Sequence, residues 1–293
     1  MLGRVTQLIR LARPTQWIKN GFVWVGWLFG TQVHDALLFK LALATTIAFC
    51  LASSAVYVFN DYMDRERDRA HPIKRSRPLA SGAVSVPAAL TLACLCLAGS
   101  FAAAWFAGPR VVIVAALYLA MNLGYSLWMK HEPVLDVFCI ASGFMLRIIA
   151  GTWGLMIPPS GWLILTGMFL TLFLGFAKRR AEWTEFSGKG SRSTRRVLAH
   201  YSQPLLDTFL AITATGTVLS YGLYTLDPKT IALHHTDKLI YTLPFILFGL
   251  FRYLHLLHNH NRGENPTVDV FTDWQTVASG ATFALSAVWL LHR

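Results

Sequence analysis

The chain alternates long apolar runs with short polar segments over its 293 residues. Each run holds about 18 to 25 residues, and a helix of that length crosses the roughly 30 Å of hydrocarbon in a bilayer. The pattern predicts about nine spanning helices, at residues 16–33, 37–59, 85–107, 110–128, 134–157, 160–178, 204–226, 238–257 and 272–291. No linker or low-complexity tract separates them. We therefore expect one all-helical membrane domain over residues 1–293.

The composition excludes an ordinary soluble domain, because 54% of the residues are hydrophobic and only 14% are charged. Soluble domains carry about 25% charged residues. If the spans alternate, most of the 26 Lys and Arg residues lie on the side of the amino terminus. The other side holds five, namely Lys40, Arg110, Lys229, Lys238 and Arg293. The positive-inside rule therefore predicts a multi-pass protein of the inner, or plasma, membrane with a cytoplasmic amino terminus.

The net charge of +11 also bears on the partners of the protein. A basic surface beside a bilayer suits an anionic lipid leaflet and anionic substrates. It requires no nucleic acid as a partner. The dense charge of residues 60–82 is the natural place for such substrates, since it follows directly on the second apolar run.

The segment NDYMDRERD (60–68) places three carboxylates on one side of a helix that continues from the second span. At 100° per residue, Asp61, Asp64 and Asp68 fall within about 60° of one another. Glu66 points to the opposite side. Mg²⁺ takes hard oxygen ligands and often binds through one or two carboxylates and substrate phosphates. The spacing therefore favours a Mg²⁺ site that holds a diphosphate beside Asn60; a solvated helix end balanced by neighbouring arginines is the alternative.

A basic stretch follows the aspartates and contains Lys74, Arg75 and Arg77. Guanidinium and ammonium groups opposite a bound diphosphate would bind its remaining oxygens and stabilise the departing charge. The alternative for each of these residues is simple anchoring at the cytoplasmic face of the membrane. The order of acids before bases thus predicts an active site at that face.

The fifth span carries an arginine in its apolar interior, and charges at such depth normally face a cavity or a partner. Asp136, Gly143 and Arg147 share one face of this helix. Arg147 lies about 16 Å along the helix from Asp136. We expect Arg147 either to contact a substrate phosphate or to form a structural ion pair inside the bundle.

Further polar residues fall near the predicted mouth of the bundle. Tyr125 and Lys130 end the fourth span and are expected to bind a phosphate or to anchor the helix at the interface. Gln16, Lys19 and Asn20 are expected to line the same mouth.

Together these features resemble the UbiA superfamily of intramembrane prenyltransferases. The resemblance rests on N-D-x-x-D-x-x-x-D, the basic stretch and RPLASG (77–82), and it extends over essentially the whole chain. It implies an all-α, UbiA-like bundle of about nine transmembrane helices with cytoplasmic cap loops. It also implies a Mg²⁺-bound diphosphate and a cavity that opens toward lipid.

The chain departs from ordinary UbiA members after the sixth span. There the family carries a second motif, D-x-x-x-D, whereas this sequence reads FLGFAKRRAEWTEF (173–186). Lys178 and Arg179 stand where acids are expected, and Glu182 is the nearest carboxylate. Lys178 and Glu182 are four residues apart on a helix and can pair. The second wall of the site is therefore expected to be cationic and to attract a second anion.

This departure resembles the UbiA subgroup of decaprenyl-phosphate phosphoribosyltransferases. Its signatures have counterparts here in RPTQWIKN (13–20), YSLWMKHEPVLD (125–136), GFMLR (143–147), KRRAE (178–182) and GENPT (263–267). The resemblance implies transfer of 5-phosphoribose from 5-phosphoribosyl 1-diphosphate to a polyprenyl phosphate. It implies catalytic roles for the three aspartates, Lys178 and Glu182. The other polar residues would bind substrate, namely Gln16, Lys19, Asn20, Asn60, Lys74, Arg75, Arg77, Tyr125, Lys130, Asp136, Arg147 and Arg179.

Two other functions stay open at this point. One is an ordinary UbiA-type prenyltransferase that moves an isoprenoid from a prenyl diphosphate to an aromatic acceptor. The other is a transporter for anionic lipids, which would show broken helices in two halves. Small residues that face lipid leave a homo-oligomer open as well.

Overall fold

The computed structural model describes residues 2–30, 35–71, 74–189, 196–259 and 272–291. All regular structure in these ranges is helical. The α-helices in chain order are α1 (Leu2–Ala12), α2 (Val25–Leu28), α3 (Ala36–Met63), α4 (Arg65–Arg69), α5 (Val86–Ala107), α6 (Pro109–Leu127), α7 (Leu135–Gly151), α8 (Gly161–Lys189), α9 (Gln203–Leu226), α10 (Pro228–His234), α11 (Leu243–Asn259) and α12 (Trp274–Leu291). The GENPT segment lies outside the described residues.

Several long helices begin at capping residues that the sequence supplies. Asp35 accepts hydrogen bonds from the backbone N–H groups of Leu37 and Leu38, at 2.7 and 3.2 Å, at the start of α3. Ser85 and Ser202 accept from the first turns of α5 and α9 in the same way. These side chains satisfy amide groups that a helix leaves unpaired at its start, which matters most beside a bilayer.

The helices pack in neighbouring pairs, with α3 against α5, α8 against α9, and α11 against α12. Helix α7 lies between these pairs and contacts α6, α8 and a 3-10 helix, Pro14–Trp24. Small residues allow α3 and α5 to approach closely. The Ser100 hydroxyl of α5 donates to the Ala48 carbonyl of α3 at 2.8 Å. Contacts of α3 with α6, of α6 with α7 and of α7 with α8 join the end of α3, the end of α6, the start of α7 and the charged part of α8. This region, which holds Asp61, Asp64, Lys130, Asp136 and Arg179, is here called the charged end.

Seven segments in the described ranges are long and apolar enough to cross a membrane. They are Ala36–Met63, Val86–Ala107, Pro109–Leu127, Leu135–Leu155, Gly161–Thr184, Gln203–Leu226 and Lys238–His258. The all-helical membrane fold is confirmed, but the expected count of nine is not. The predicted span 16–33 instead begins as the 3-10 helix and continues as the single turn of α2. The predicted span 272–291 corresponds to α12, which lies outside this set of seven.

The 14–28 segment lies backbone to backbone against the end of α7. A methyl group added at Gly151 would lie 1.7 Å from the Val23 carbonyl oxygen, and one added at Gly26 would lie 2.0 Å from the Gly151 carbonyl oxygen. Only glycine permits this approach, because any side chain would force two backbones apart. The contact fixes the position of the segment that carries Gln16, Lys19 and Asn20.

Replacing Gly151 with alanine is therefore expected to destabilise the protein by about 1–3 kcal/mol, as for other over-packed contacts. Thermal unfolding in detergent would show this as a lower midpoint. Gly222→Ala is the matched control, because a methyl group there meets no atom within 4 Å. Equal midpoints for the two variants would contradict the close contact.

Candidate active site

The aspartate motif lies where α3 ends at the charged end. Helix α3 stops at Met63, Asp64 forms a turn, and α4 continues the chain. Helical hydrogen bonds nevertheless cross the turn, from Asp64 N–H to the Asn60 carbonyl at 2.9 Å and from Asp68 N–H to the Asp64 carbonyl at 2.8 Å. Asp61 and Asp68 are buried, whereas Asp64 is half-buried.

One guanidinium nitrogen bridges the two buried aspartates. Arg77 Nη1 lies 3.1 Å from Asp61 Oδ1 and 2.7 Å from Asp68 Oδ2. Arg13 Nη2 reaches the same Asp61 oxygen at 2.6 Å, and its guanidinium lies 5.0 Å from the centre of the Tyr57 ring. The two carboxylates therefore converge on one point, which a positive group occupies.

The third aspartate points elsewhere. Asp64 Oδ1 lies 3.2 Å from Lys130 Nζ, in the segment between α6 and α7. The neighbouring Ser126 hydroxyl donates to Asn60 Oδ1. These two contacts join the end of α3 to the end of α6. They bring Lys130 into one cluster with Asn60 and Asp64, although Lys130 lies 66 residues from Asp64 in sequence.

The site was predicted to hold Mg²⁺, and its donors fit such an ion. Asp61 and Asp68 present hard oxygen atoms to a single cationic nitrogen, which is the arrangement that a small divalent cation also requires. Among the side chains that the structure describes, no three His, Cys, Asp or Glu residues converge as one metal-binding group. The sequence predicted three converging carboxylates, but only Asp61 and Asp68 converge, because Asp64 lies in the turn and pairs with Lys130. The three residues as metal ligands stay a prediction.

The remaining charges of this segment separate into two groups. Glu66 lies on the opposite, solvent-facing side and pairs with Arg65 and Arg69. The hydrogen bond from Arg65 lowers the pKa of Glu66 below its ordinary value. Of the three predicted phosphate-binding bases, Arg77 reaches the aspartates, Lys74 is half-buried and Arg75 is exposed.

Arg147 is buried in α7, with 5% of its surface exposed. Its guanidinium donates to Asn20 Oδ1 at 2.6 Å, to the Gly143 carbonyl at 2.7 Å and to the Tyr118 hydroxyl at 3.1 Å. Aromatic rings surround the guanidinium carbon at 4.7 to 5.9 Å, namely Tyr118, Phe144 and Phe49. No Asp or Glu of the described chain forms an ion pair with it. The structural ion pair expected as an alternative is therefore not found there.

The RPTQWIKN segment supports this arginine. Asn20 is fully buried, and its amide group donates to Cys50 Sγ at 3.1 Å while its oxygen accepts from Arg147. Lys19 and Gln16 are half-buried on the same 3-10 helix. Asn20 thus orients Arg147, which is a more specific arrangement than the general lining role predicted for it.

The KRRAE segment differs from the open cationic wall that the sequence predicted. Arg179 has no exposed surface and pairs with both Asp136 and Glu182. Arg180 pairs with Asp207 at 2.9 Å. Acids from α7 and α9 compensate these charges because the helices bring them into contact, which sequence spacing does not show. Substrate binding by Arg179 and Asp136 stays a prediction.

Two further residues of the predicted site lie at this end of the bundle. Lys178 is half-buried on α8, and Tyr125 is half-buried near the end of α6. The Nη2 atom of Arg179 is buried and makes no hydrogen bond to the described residues, so that one donor of the guanidinium stays available.

Sequence reasoning missed three residues of this region. Arg13 binds Asp61, Tyr118 binds Arg147, and Tyr201 donates to Asp136 Oδ1 at 2.9 Å. Arg13 opens the RPTQWIKN segment, so the motif itself pointed to it. Tyr118 and Tyr201 have no such signal, because only the packing of distant helices brings them to the site.

The described chain is a bundle of membrane-length helices with buried carboxylates and cations at one end, the arrangement of a multi-pass membrane protein with a polar site. Residues 21–274 match the UbiA prenyltransferase family, and the chain belongs to that family. This confirms the resemblance drawn from the aspartate motif.

Two relatives and one solved structure add detail. The decaprenyl-phosphate phosphoribosyltransferase of Mycolicibacterium smegmatis is 37% identical over 224 residues, which cover 75% of this chain and 70% of that protein. The protein of the same name from Mycobacterium tuberculosis is 36% identical over 228 residues, 76% of this chain and 75% of the relative. A UbiA homologue from Archaeoglobus fulgidus, solved with GPP and Mg²⁺, has a TM-score of 0.74 at 20% identity, covering 98% of this chain and all of that one. The last likeness shows the shared fold.

Proposed function

We propose that this enzyme transfers 5-phosphoribose from 5-phosphoribosyl 1-diphosphate to a polyprenyl phosphate of the decaprenyl type, in a Mg²⁺-dependent reaction that releases diphosphate. The observation that carries the proposal is Arg147, a buried cation with no acidic partner in the described chain. A reaction with two anionic substrates needs cations beyond those around the aspartates. The names of the relatives support the same substrates.

The aspartates would hold Mg²⁺ and the diphosphate. Asp61 and Asp68 converge on Arg77 Nη1, and Asp64 lies nearby with Lys130. When bound, the ion supplies positive charge to the diphosphate leaving group. Arg77 and Lys130 would bind the outer oxygens of the diphosphate, assisted by the half-buried Lys74 and the exposed Arg75.

Arg147 would bind a phosphate group deeper in the bundle. The groups that it contacts carry no negative charge, so its own charge is available to an anion and is stronger there than in water. Asn20 and Tyr118 hold the guanidinium in place, and Lys19 and Gln16 lie on the segment beside it. Both substrates carry a phosphate monoester, and either the sugar phosphate or the lipid phosphate meets this requirement.

The chemical step needs little from the protein beyond positioning. One oxygen of the lipid phosphate forms a bond to the anomeric carbon, and the bond from that carbon to the diphosphate breaks with its electron pair leaving on the diphosphate. The lipid phosphate is already ionised at neutral pH, so no strong general base is required. Lys178 and the remaining donor of Arg179 would align the two phosphates from the α8 side, and Glu182 would hold Arg179 in place.

The charged end would face the cytoplasm, where the water-soluble sugar diphosphate is found. The excess of Lys and Arg on this side supports that orientation, with the amino terminus inside. The isoprenoid tail would lie in lipid while its phosphate reaches the site.

The test is a transfer assay with purified protein, Mg²⁺, labelled 5-phosphoribosyl 1-diphosphate and decaprenyl phosphate. Lipid-extractable label that disappears without Mg²⁺ is the expected result. Parallel reactions contain labelled geranyl diphosphate and an aromatic acceptor. Transfer only in the second reaction would favour ordinary prenyl transfer, and movement of labelled lipid across vesicles without chemistry would favour the transporter.

A further inference from the structure

A strained turn precedes α7. The Leu135 N–H donates to the Pro133 carbonyl at 2.7 Å, and Val134 between them has a φ of 67° and a ψ of −50°. This is close to the three-residue γ-turn, which is rare and strained. A β-branched residue adopts a positive φ only where surrounding contacts enforce it. The turn at Val134 therefore requires a tertiary contact that stabilises its positive φ.

Tyr201 supplies the holding contact from outside the helix. Its hydroxyl oxygen accepts a hydrogen bond from the Val134 N–H at 2.6 Å. Tyr201 itself is buried, and Trp183 donates through Nε1 to its backbone carbonyl at 2.9 Å. Hydrogen bonds thus hold both the backbone carbonyl and the hydroxyl group of Tyr201. The residue links the segment that follows α8 to the segment that precedes α7.

The Tyr201 hydroxyl can accept from Val134 N–H because its own proton points toward a carboxylate. Tyr201 donates its proton to Asp136 Oδ1 at 2.9 Å, and Arg179 holds the other oxygen of Asp136. An ionised carboxylate accepts only, so the lone pairs of Tyr201 remain for Val134 N–H. Burial raises the pKa of Tyr201, and the Asp136 charge raises it further, which keeps the proton in place.

The turn is close in sequence to a residue of the active site. Lys130 lies on the short 3-10 helix Met129–His131, four residues before Val134, and pairs with Asp64. Asp136 N–H donates to the Glu132 carbonyl at 3.1 Å, which ties the intervening residues to α7. The position of this segment thus determines where the Lys130 ammonium lies.

We propose that Tyr201 is a positioning residue, which holds the turn at Val134 and so sets Lys130 against Asp64 for diphosphate binding. This rests on the proposed function. Tyr201 does not touch the reacting atoms in this arrangement. It acts through the backbone of residues 130–134.

The proposal is tested with Tyr201→Phe and a rescuing change at Val134. Tyr201→Phe removes both hydrogen bonds of the hydroxyl, to Val134 N–H and to Asp136, and the loosened turn is expected to raise the KM for 5-phosphoribosyl 1-diphosphate about tenfold. Glycine adopts positive φ without strain, so Val134→Gly removes the need for the hydroxyl. The double variant Tyr201→Phe/Val134→Gly is expected to recover most of the lost affinity. A simple loss of packing or of a catalytic group would not be rescued in this way.

Tyr221→Phe is the matched control, since it removes one buried hydroxyl contact, to Thr242, at a distance from the site. Its KM is expected to equal that of the wild type. A wild-type KM for Tyr201→Phe, or a double variant no better than Tyr201→Phe alone, would overturn the proposal.

Hydrogen exchange separates this proposal from the proposed function, because it needs no substrate. Tyr201→Phe is expected to accelerate hydrogen exchange in the peptide that covers residues 128–138. The double variant Tyr201→Phe/Val134→Gly is expected to return the exchange rate toward that of the wild type. A wild-type protein that transfers no label would refute the proposed function. Unchanged exchange in Tyr201→Phe would refute the role of Tyr201.

Discussion

Replacing Asp64 with asparagine is expected to lower kcat/KM about 100-fold, the scale on which single electrostatic contacts act in active sites. The variant loses the partner that holds Lys130 at 3.2 Å and, under the proposed function, a carboxylate oxygen for Mg²⁺. It is expected to stay folded, because Asp64 is half-buried and does not share in the Arg13–Asp61–Arg77–Asp68 network. Transfer assays and thermal unfolding of the purified variant measure the two effects.

Glu66→Gln is the matched control for this prediction. Glu66 lies two residues further along the same segment, but its carboxylate faces solvent and pairs with Arg65 and Arg69. We expect activity close to that of the wild type. Equal activities of Asp64→Asn and Glu66→Gln would remove Asp64 from the site.

Replacing Arg147 with methionine is expected to lower kcat/KM about 100-fold, as for the loss of a charged hydrogen-bonded contact. Methionine fills much of the same volume among the aromatic rings but offers no charge to a phosphate. Under the proposed function, a raised KM for one substrate and not for the other would identify the phosphate that Arg147 binds. Arg147→Lys keeps the charge without the planar fork, and about a tenth of the activity is expected to remain.

Arg110→Met is the corresponding control at the other end of the bundle. Arg110 also packs on an aromatic ring, with its guanidinium 5.1 Å from the centre of Trp153. It lies close to the start of α6, whereas Tyr125 and Ser126 of the charged end lie close to the end of the same helix. Its loss is expected to leave transfer unchanged. An Arg147→Met enzyme with wild-type kcat/KM would contradict the proposed phosphate site.

Much of the fold could be predicted from apolar length alone. Seven of the nine predicted spans coincide with membrane-length helices, because a run of that length has few other ways to satisfy its backbone. The two exceptions are 272–291, which is helical but outside the set of seven, and 16–33. The second departs most from the prediction. Its glycine contacts with α7 and its 3-10 geometry depend on a neighbouring helix, and no local pattern in the chain reports them.

The site was predictable to a smaller extent. Helical spacing correctly separated Glu66 from the aspartates, and the position of Arg147 within an apolar run marked it as unusual. The pairing of Arg179 and Arg180 was not predictable. Their partners Asp136 and Asp207 lie 43 and 27 residues away, so only tertiary contacts show that these charges are compensated.

The sequence by itself determined that this is an all-helical membrane protein with an aspartate motif at the end of one span, since apolar length and helical period act locally. Only the tertiary structure decided which charged side chains pair with one another. It joined Asp61 and Asp68 through Arg77, turned Asp64 toward Lys130, and left Arg147 among neutral groups. The physical reason is that an ion pair depends on distance in space, which the packing of helices sets and the order of residues does not.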